Sequence, residues 1–453
     1  MVGELSRRDF LSRLGVTLGA SAALFPAASQ AEVHESTKGR IPATPYKTGH
    51  MTFLSGPFAG LGEQSLKGHL LAAEEINARG GLLGKRPIET IKADEAAGTG
   101  ANVKELRRMK LSESIDCFTG VISSGNTPIL GPVAEEIKCL TLFTDGCTDA
   151  LFEKALPNPH YVFRVTNLQS ADGVVTAIAT AVTWPTVTKI AHIHSDYPYG
   201  RSTSDHFNAA LRKLLGKVQV VSESGPKLGL KDFTPHIKKT ISARPDLLFC
   251  SLWGSDYATF YRQALGQDLF KKMKVATTLA FGAAPHSLGK DHPEGIIAGM
   301  HANYHFTVPG GAQWPLNATF VGRFFERWSE YPNFLAEGAY TALYLLKLAI
   351  DKANRLSGGW PDDEAIIAML EGLSMPSPAG YIHIRPDNHQ GYKDAVIGIS
   401  TYSPDFPFPI PDPRRVITVP IHKVTAPPGW PRGDPTSTYA WIEQTWPSGI
   451  LTP

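Results

Sequence analysis

Ser123-Ser124-Gly125-Asn126-Thr127-Pro128 follows the apolar run from Ile115 to Ile122 and precedes Ile129 to Lys138, a stretch patterned as a helix. Two serines, an amide and a threonine are crowded onto a strand-to-helix corner, with no acid, histidine or cysteine among them. A serine nucleophile needs a neighbouring base, so this corner is not built for covalent catalysis. It suits holding instead. A helix N-terminus offers unpaired backbone N–H groups and about half a positive charge, enough to hold a carboxylate or polar carbonyl without lysine or arginine. Ser123, Ser124, Asn126 and Thr127 add side-chain donors at that point. The plainer alternative is a cap that satisfies only its own helix. Either Pro128 or Pro132 suits the first turn of that helix.

Other side chains with chemical potential are scattered. His192 and His194 alternate onto one strand face and His301 and His305 are four apart, spacings that a metal-dependent hydrolase would use. No H-E-x-x-H, G-x-S-x-G or phosphate loop accompanies them, and His192-Ile193-His194 lies inside a core strand pattern. Cys117, Cys139, Cys147 and Cys250 contain no C-x-x-C pair, which argues against a zinc ribbon, an iron–sulfur cluster or a thioredoxin-like centre. Cys117 and Cys139 open two apolar runs that read as adjacent parallel strands. An oxidising compartment would allow a bridge between them, and buried free thiols are the simpler expectation. The residues thus indicate no catalytic group, no metal and no cofactor.

The elements that must position the corner come from a chain of 453 residues, 42% hydrophobic and 19% charged, long enough to bury a large core in two or three domains. A net charge of +2 without a Lys/Arg tract gives no reason to expect nucleic acid or a membrane surface as partner. Residues 1–31 read as an address. Ser6-Arg7-Arg8-Asp9-Phe10-Leu11 has the twin-arginine form, Leu14 to Phe25 is apolar, and Ala27-Ala28-Ser29-Gln30-Ala31 offers a cleavage site after Ala31. No later stretch approaches the ~18–20 apolar residues of a membrane span. The expectation is a periplasmic protein exported by the twin-arginine pathway.

Along the rest of the chain strand and helix periods alternate. His50–Leu54, Ile88–Lys92, the run into Gly120, and Cys139–Phe143 read as strands, separated by helices at 63–78, 101–111 and up to Ile137. Such β-α-β repetition implies a parallel sheet covered by helices on both faces. A second series restarts at Gly173 and runs to a strand at Val275–Thr278. Helices at Asn333–Ala353 and Asp362–Leu373 then return to the first series. The fold class is α/β, two doubly wound Rossmann-like lobes. The lobes are expected at 46–167 plus about 303–375, and at 168–302 plus about 376–403. Beyond Pro404 the proline-rich tail, 404–453, should wrap the surface as extended segments or stay partly mobile.

The block Leu54 to Lys85, with Ala93-Asp94-Glu95, the Gly120–Thr127 corner, Thr144-Asp145-Gly146-Cys147-Thr148 and Tyr197-Pro198-Tyr199-Gly200, resembles the branched-chain amino-acid and amide binding proteins of ABC importers. The likeness runs from about residue 46 to 400. It implies a type I periplasmic binding fold, two lobes joined by three hinge strands with a small solute closed between them, and an ABC permease in the inner membrane as partner. Ligands of doubly wound sheets collect beyond the carboxyl ends of the strands, where the corner stands.

Carried over by position, the resemblance implies that Ser124, Asn126 and Thr148 fix the polar head of the solute, with Cys147 beside them. Tyr199 and Trp253 close on it from the second lobe, and Phe58 walls the cleft. One departure stands out. Amino-acid binders of this family set an acid of the second lobe against the ligand ammonium, whereas Ala276-Thr277-Thr278-Leu279-Ala280-Phe281 holds none. Asp145, Asp196 or Asp256 would have to substitute. An amide, a urea-like solute or an aromatic or aliphatic carboxylate therefore competes with a free amino acid, since a buried ammonium without a counter-charge costs several kcal/mol. A receptor-type sensor sharing the same fold would read identically.

Overall fold

The computed structural model describes residues 39–282, 287–310, 313–433 and 437–449, so the segment read as a signal peptide lies outside the described residues. The first lobe is built on five parallel strands, β1 (Tyr46–Thr52), β2 (Ile88–Asp94), β3 (Cys117–Gly120), β4 (Thr141–Phe143) and β5 (Val162–Arg164). Their order is β2-β1-β3-β4-β5. Every neighbouring pair is parallel, which requires a crossover between them. The helices Ala59–Ala78, Thr99–Leu111 and Thr127–Glu136 supply three of these crossovers.

The second lobe restarts the pattern. Strands β6 (Lys189–Ile193), β7 (Gln219–Ser224), β8 (Leu247–Cys250), β9 (Lys274–Thr277) and β10 (Ile297–Gly299) lie in the order β10-β9-β8-β6-β7. Helices Phe334–Ser357 and Asp363–Leu370 then pack with the first lobe and bury Leu335, Leu343 and Ile367 in the cluster that holds Tyr46 and Leu142. The Phe334–Ser357 helix lies so close to Ala59–Ala78 that a Cβ on Gly68 would sit 2.0 Å from the Ala336 carbonyl oxygen. Gly68→Ala is accordingly expected to cost about 1–3 kcal/mol by overpacking, read as a lower urea midpoint.

A small antiparallel sheet follows, of β11 (Ser374–Ser377), β12 (Gly380–Ile384) and β13 (Gly391–Tyr392). Met375, Ile382 and Ile384 are buried in the first-lobe cluster, and Gln390 bridges to Arg164 beside β5. The sequence reading gave residues from about 376 to the second lobe. The chain instead stays with the first until β13, because the alternate apolar side chains of this hairpin need that core. Strand β14 (Ala395–Thr401) then joins β10 antiparallel, flanked by β15 (Ile410–Pro411) and β16 (Ile417–Val419).

The chain thus passes between lobes three times, after β5, after β10 and before β14. The three passages are tied together. The Asn167 amide accepts from Lys393 N (2.8 Å) and donates to Lys393 O (3.0 Å), and Asn303 Nδ2 donates to the same carbonyl (3.0 Å). Lys393 Nζ reaches Glu337 Oε2 at 2.5 Å, both side chains fully buried.

The tail wraps the surface in extended stretches, as its prolines predict, and adds more than that. Phe406 and Phe408 pack edge-to-face against Phe306 and Tyr331, and the helix Ser437–Thr445 buries Ile442 against the second-lobe core. Short edge strands tolerate Pro411, which a central strand would not. Cys117, Cys139, Cys147 and Cys250 are free and buried.

Candidate functional site

Strand β3 leaves the first sheet through two left-handed residues, Gly120 (φ 100°) and Val121 (φ 68°), the second strained because it is β-branched. Val121 N is pinned to Met51 O at 2.7 Å. The turn delivers the corner to the carboxyl edge of the sheet, and the helix begins at Thr127 with Pro128 in its first turn.

Most of the corner's donors are already spent. The Glu95 carboxylate, just past β2, accepts from Ile122 N (2.8 Å), Ser123 N (2.8 Å) and Asn126 Nδ2 (2.9 Å). Asn126 Oδ1 takes the Thr99 hydroxyl, Thr127 Oγ1 donates to Gly146 O at 2.7 Å, and Ser123 Oγ accepts from Gly125 N. Ser123, Asn126 and Thr127 therefore do not line the cleft, contrary to expectation. A buried acid of the chain itself occupies the amides that were expected to hold a solute. Burial pushes Glu95 up to about 7, against the pull of those three donors.

What remains is a cavity of about 20 Å³ between the lobes, room for about one water. Ser124, Asp145 and Cys147 line it from the first lobe and Tyr197, Tyr199 and Trp253 from the second, with Leu61 and Phe334 completing apolar walls. Trp253 stacks on Phe58 across the lobes, ring centroids 4.4 Å apart at 21°. Phe58 thus stands behind Trp253 rather than facing the cavity. Ser124 Oγ lies 3.8 Å from Cys147 Sγ, and Trp253 Nε1 is buried without an acceptor of good geometry.

Of the charged floor of the cavity, the sequence offered Asp145 as a possible acid but not the groups that meet it. His301, on the passage after β10, places Nδ1 2.5 Å from Asp172 Oδ2 and Nε2 3.0 Å from Asp145 Oδ1. Tyr199 OH donates to the same Asp172 oxygen at 2.8 Å, with Thr278 Oγ1 3.2 Å away. Burial alone would lower His301, yet Asp172, Cys147 and Asp145 together hold its imidazolium well above the ordinary range. Burial raises Asp145, and the His301 charge opposes that rise. One imidazole therefore bridges an acid from each lobe.

The loop carrying Asp145 and Cys147 is held from behind. Arg164, fully buried, donates Nη1 to the Gly146 and Thr148 carbonyls (2.9 and 2.7 Å) and Nε to Gln390 Oε1 (2.8 Å). Gly146 has φ 63°, and a Cβ there would meet Thr127 Cγ2 at 2.3 Å. Thr148 accepts from Ala150 N and does not line the cavity. Asp196 pairs with Arg201 at the surface and Asp256 accepts from Gly229 N, so of the three substitutes only Asp145 faces the cavity.

His301 and His305 do not come together. Residues 301–303 make one tight turn with Ala302 at φ 52°, sending His305 toward Thr307 and Phe281. His192 bonds Asn208 and His194 bonds Glu223. Among the described residues, Asp145, Cys147 and His301 bring potential metal-ligand atoms within 4.8 Å of one another. Because His301 spends both ring nitrogens on carboxylates, a metal ion ligated by His301 would first have to break its Asp145 contact.

Comparison with known proteins points one way. Residues 45–398 match the family model described as periplasmic binding protein. The chain is 28% identical over 235 residues to Leu/Ile/Val-binding protein homolog 7 of Brucella suis, covering 50% of this chain and 57% of that relative. It is 23% identical over 367 residues to homolog 8 of Brucella abortus, covering 78% and 87%. Among solved structures, the solute binding protein of an ABC transporter from Rhodopseudomonas palustris BisB5, in complex with 3,4-dihydroxy benzoic acid, aligns with a TM-score of 0.72 at 22% identity, covering 84% of this chain and 98% of that one. An amino acid ABC transporter substrate-binding protein from Pseudomonas fluorescens Pf-5 aligns at 0.71 and 19%, covering 83% and 95%.

Proposed function

The chain belongs to the periplasmic binding protein family, and from that premise we propose that it closes its two lobes on one small polar-headed solute and presents the closed form to an ABC permease of the inner membrane. The observation that carries this reading is the aromatic-walled cavity between the carboxyl edges of two parallel sheets, the place where doubly wound folds collect ligands. The solute class is an amino acid, amide, urea-like compound or carboxylate of aromatic or aliphatic body. Ser124 and Cys147 meet it from one lobe, Tyr199 and Trp253 from the other, and the protein does no chemistry on it. The twin-arginine form of Ser6 to Leu11 supports export by that route.

Closure follows from touching both lobes at once, since a ligand shifts a conformational equilibrium only by its differential affinity for the two states. The lobes pivot at 165–168, 300–303 and 393–394. Two or three hydrogen bonds to a charged group at about 1.5–3 kcal/mol each, with burial of a small apolar body, suffice for the ~8 kcal/mol of a micromolar complex after association costs.

A thermal-shift screen across amino acids, amides, urea and aromatic acids tests the proposal, because a ligand that binds only the native state raises the melting temperature. One compound is expected to do so. Trp253→Ala, which removes the closing wall, is expected to weaken its binding at least tenfold by calorimetry, about 1.4 kcal/mol. An unchanged affinity would remove Trp253 from the site.

A further inference from the structure

Asp145 and Asp172 share the single imidazole of His301 at the floor of the interlobe cavity. Two carboxyl groups thus face one imidazole, and acids outnumber bases by one around this bridge. The charge of Arg164 also reaches Asp145 and is shared with buried Asp149. Arg164 lies behind the Gly146–Thr148 loop, with its Nε and Nη1 donors on Gln390 and two carbonyls, and buried Asp149 sits in the same pocket of charge. Glu95 adds a further buried acid beneath the corner.

A free carboxylate entering this cavity would place a second anion beside Asp145, with the His301 nitrogens already taken and the amides of Ile122 and Ser123 already bonded to Glu95. Like charges packed into a desolvated site disfavour one another strongly. A cation has the opposite balance. Entering as the lobes part and close again, it would meet Asp145 directly, while Trp253, Tyr197, Leu61 and Phe334 receive an apolar body. Resting on the solute-binding reading above, we infer that the solute carries a cationic nitrogen head, an ammonium or amidinium, on a flat or branched apolar body, held by the Asp145–His301–Asp172 bridge rather than by the Ser123–Thr127 corner.

Two shape-matched series that differ in head charge provide the test. Benzamidine, benzamide and benzoate form one; 3-methylbutylamine, 3-methylbutanamide and 3-methylbutanoate form the other. Calorimetry and thermal shift at neutral pH are expected to rank cation above amide above acid, with at least tenfold between the extremes. Asp145→Asn is expected to collapse that ranking while Ser123→Ala leaves it intact. An acid that binds as well as its cation overturns the inference, as does a wider solute screen whose hits are carboxylates, and so does an Asp145→Asn protein that keeps the order. The wild-type ranking stands by itself should the variant fold poorly. A screen in which no small solute of any charge binds would sink the solute-binding reading instead.

Discussion

Lys393→Met is expected to lower the free energy of unfolding by about 3–5 kcal/mol, because it strands the Glu337 carboxylate in the interior without its counter-charge. Both side chains are essentially inaccessible, at 1% and 0% exposure, so solvent offers no relief. Glu337 would retain only the Thr341 hydroxyl, 2.6 Å away. The pair as a whole need not be worth that much, since taking both charges out of water is itself costly. The double variant Lys393→Met/Glu337→Leu is therefore expected to recover most of the loss, a coupling that urea denaturation of the single and double variants measures directly. The backbone of Lys393, which ties Asn167 and Asn303 together, is untouched by the substitution, so the variant reports on the buried ion pair itself. A single variant as stable as the parent would contradict this account of the hinge.

The second large effect is acid lability. Burial drives His50 and His305 down to about 3 and His192, His206 and His292 to about 4, and lowers His69 as well. The rings of His50 and His69 lie 4.4 Å apart, tilted by 32°, and are bonded to Thr119, Ser65 and Thr48. The folded protein keeps these rings neutral while the unfolded chain protonates them near pH 6.5. The unfolded state then binds more protons, so stability is complete above pH 6.5 and falls as pH drops toward the folded values. At pH 5 each such ring contributes about 2 kcal/mol of destabilisation.

Other groups oppose this. Glu95 at about 7 and Asp149 and Asp256 at about 6 hold protons that the unfolded chain has lost, so their contribution improves on acidification until about pH 4. His301, raised by its two carboxylates, contributes stability that is present below pH 6.5 and lost as pH rises through its folded value. With six rings depressed this far, the histidines are expected to dominate and to leave a net loss of stability between pH 7 and pH 5. The urea midpoint should fall steeply across that interval. A flat or rising midpoint would show that the histidines are not held neutral.

The alternation of strand and helix periods was enough to read the two lobes, because parallel strands buried on both faces leave continuous apolar runs such as Leu247–Cys250. The corner at Ser123 was equally visible from its hydroxyls and glycine. Its occupancy was not. That Glu95 folds back onto Ile122 and Ser123 is a tertiary event across two strands, and nothing in the local spacing encodes it. His301 and His305 looked paired because four residues close a helical turn, but the left-handed Ala302 breaks that geometry and turns one histidine into the cleft alone. Asp172 was hidden for a different reason: an acid in the first turn of Gln169–Thr183 is ordinary helix chemistry until Tyr199 and His301 are seen against it. The hairpin after Ser374 was assigned to the wrong lobe because its alternation shows that one face is buried but not against which core.

A crystal structure with the solute that most raises the melting temperature tests the central claim most directly. The account predicts one intact molecule enclosed between Ser124 and Cys147 on one side and Tyr199 and Trp253 on the other, its polar head within hydrogen-bond distance of Asp145. Density for that solute anywhere outside the interlobe cleft, or for a chemically altered product within it, would contradict it.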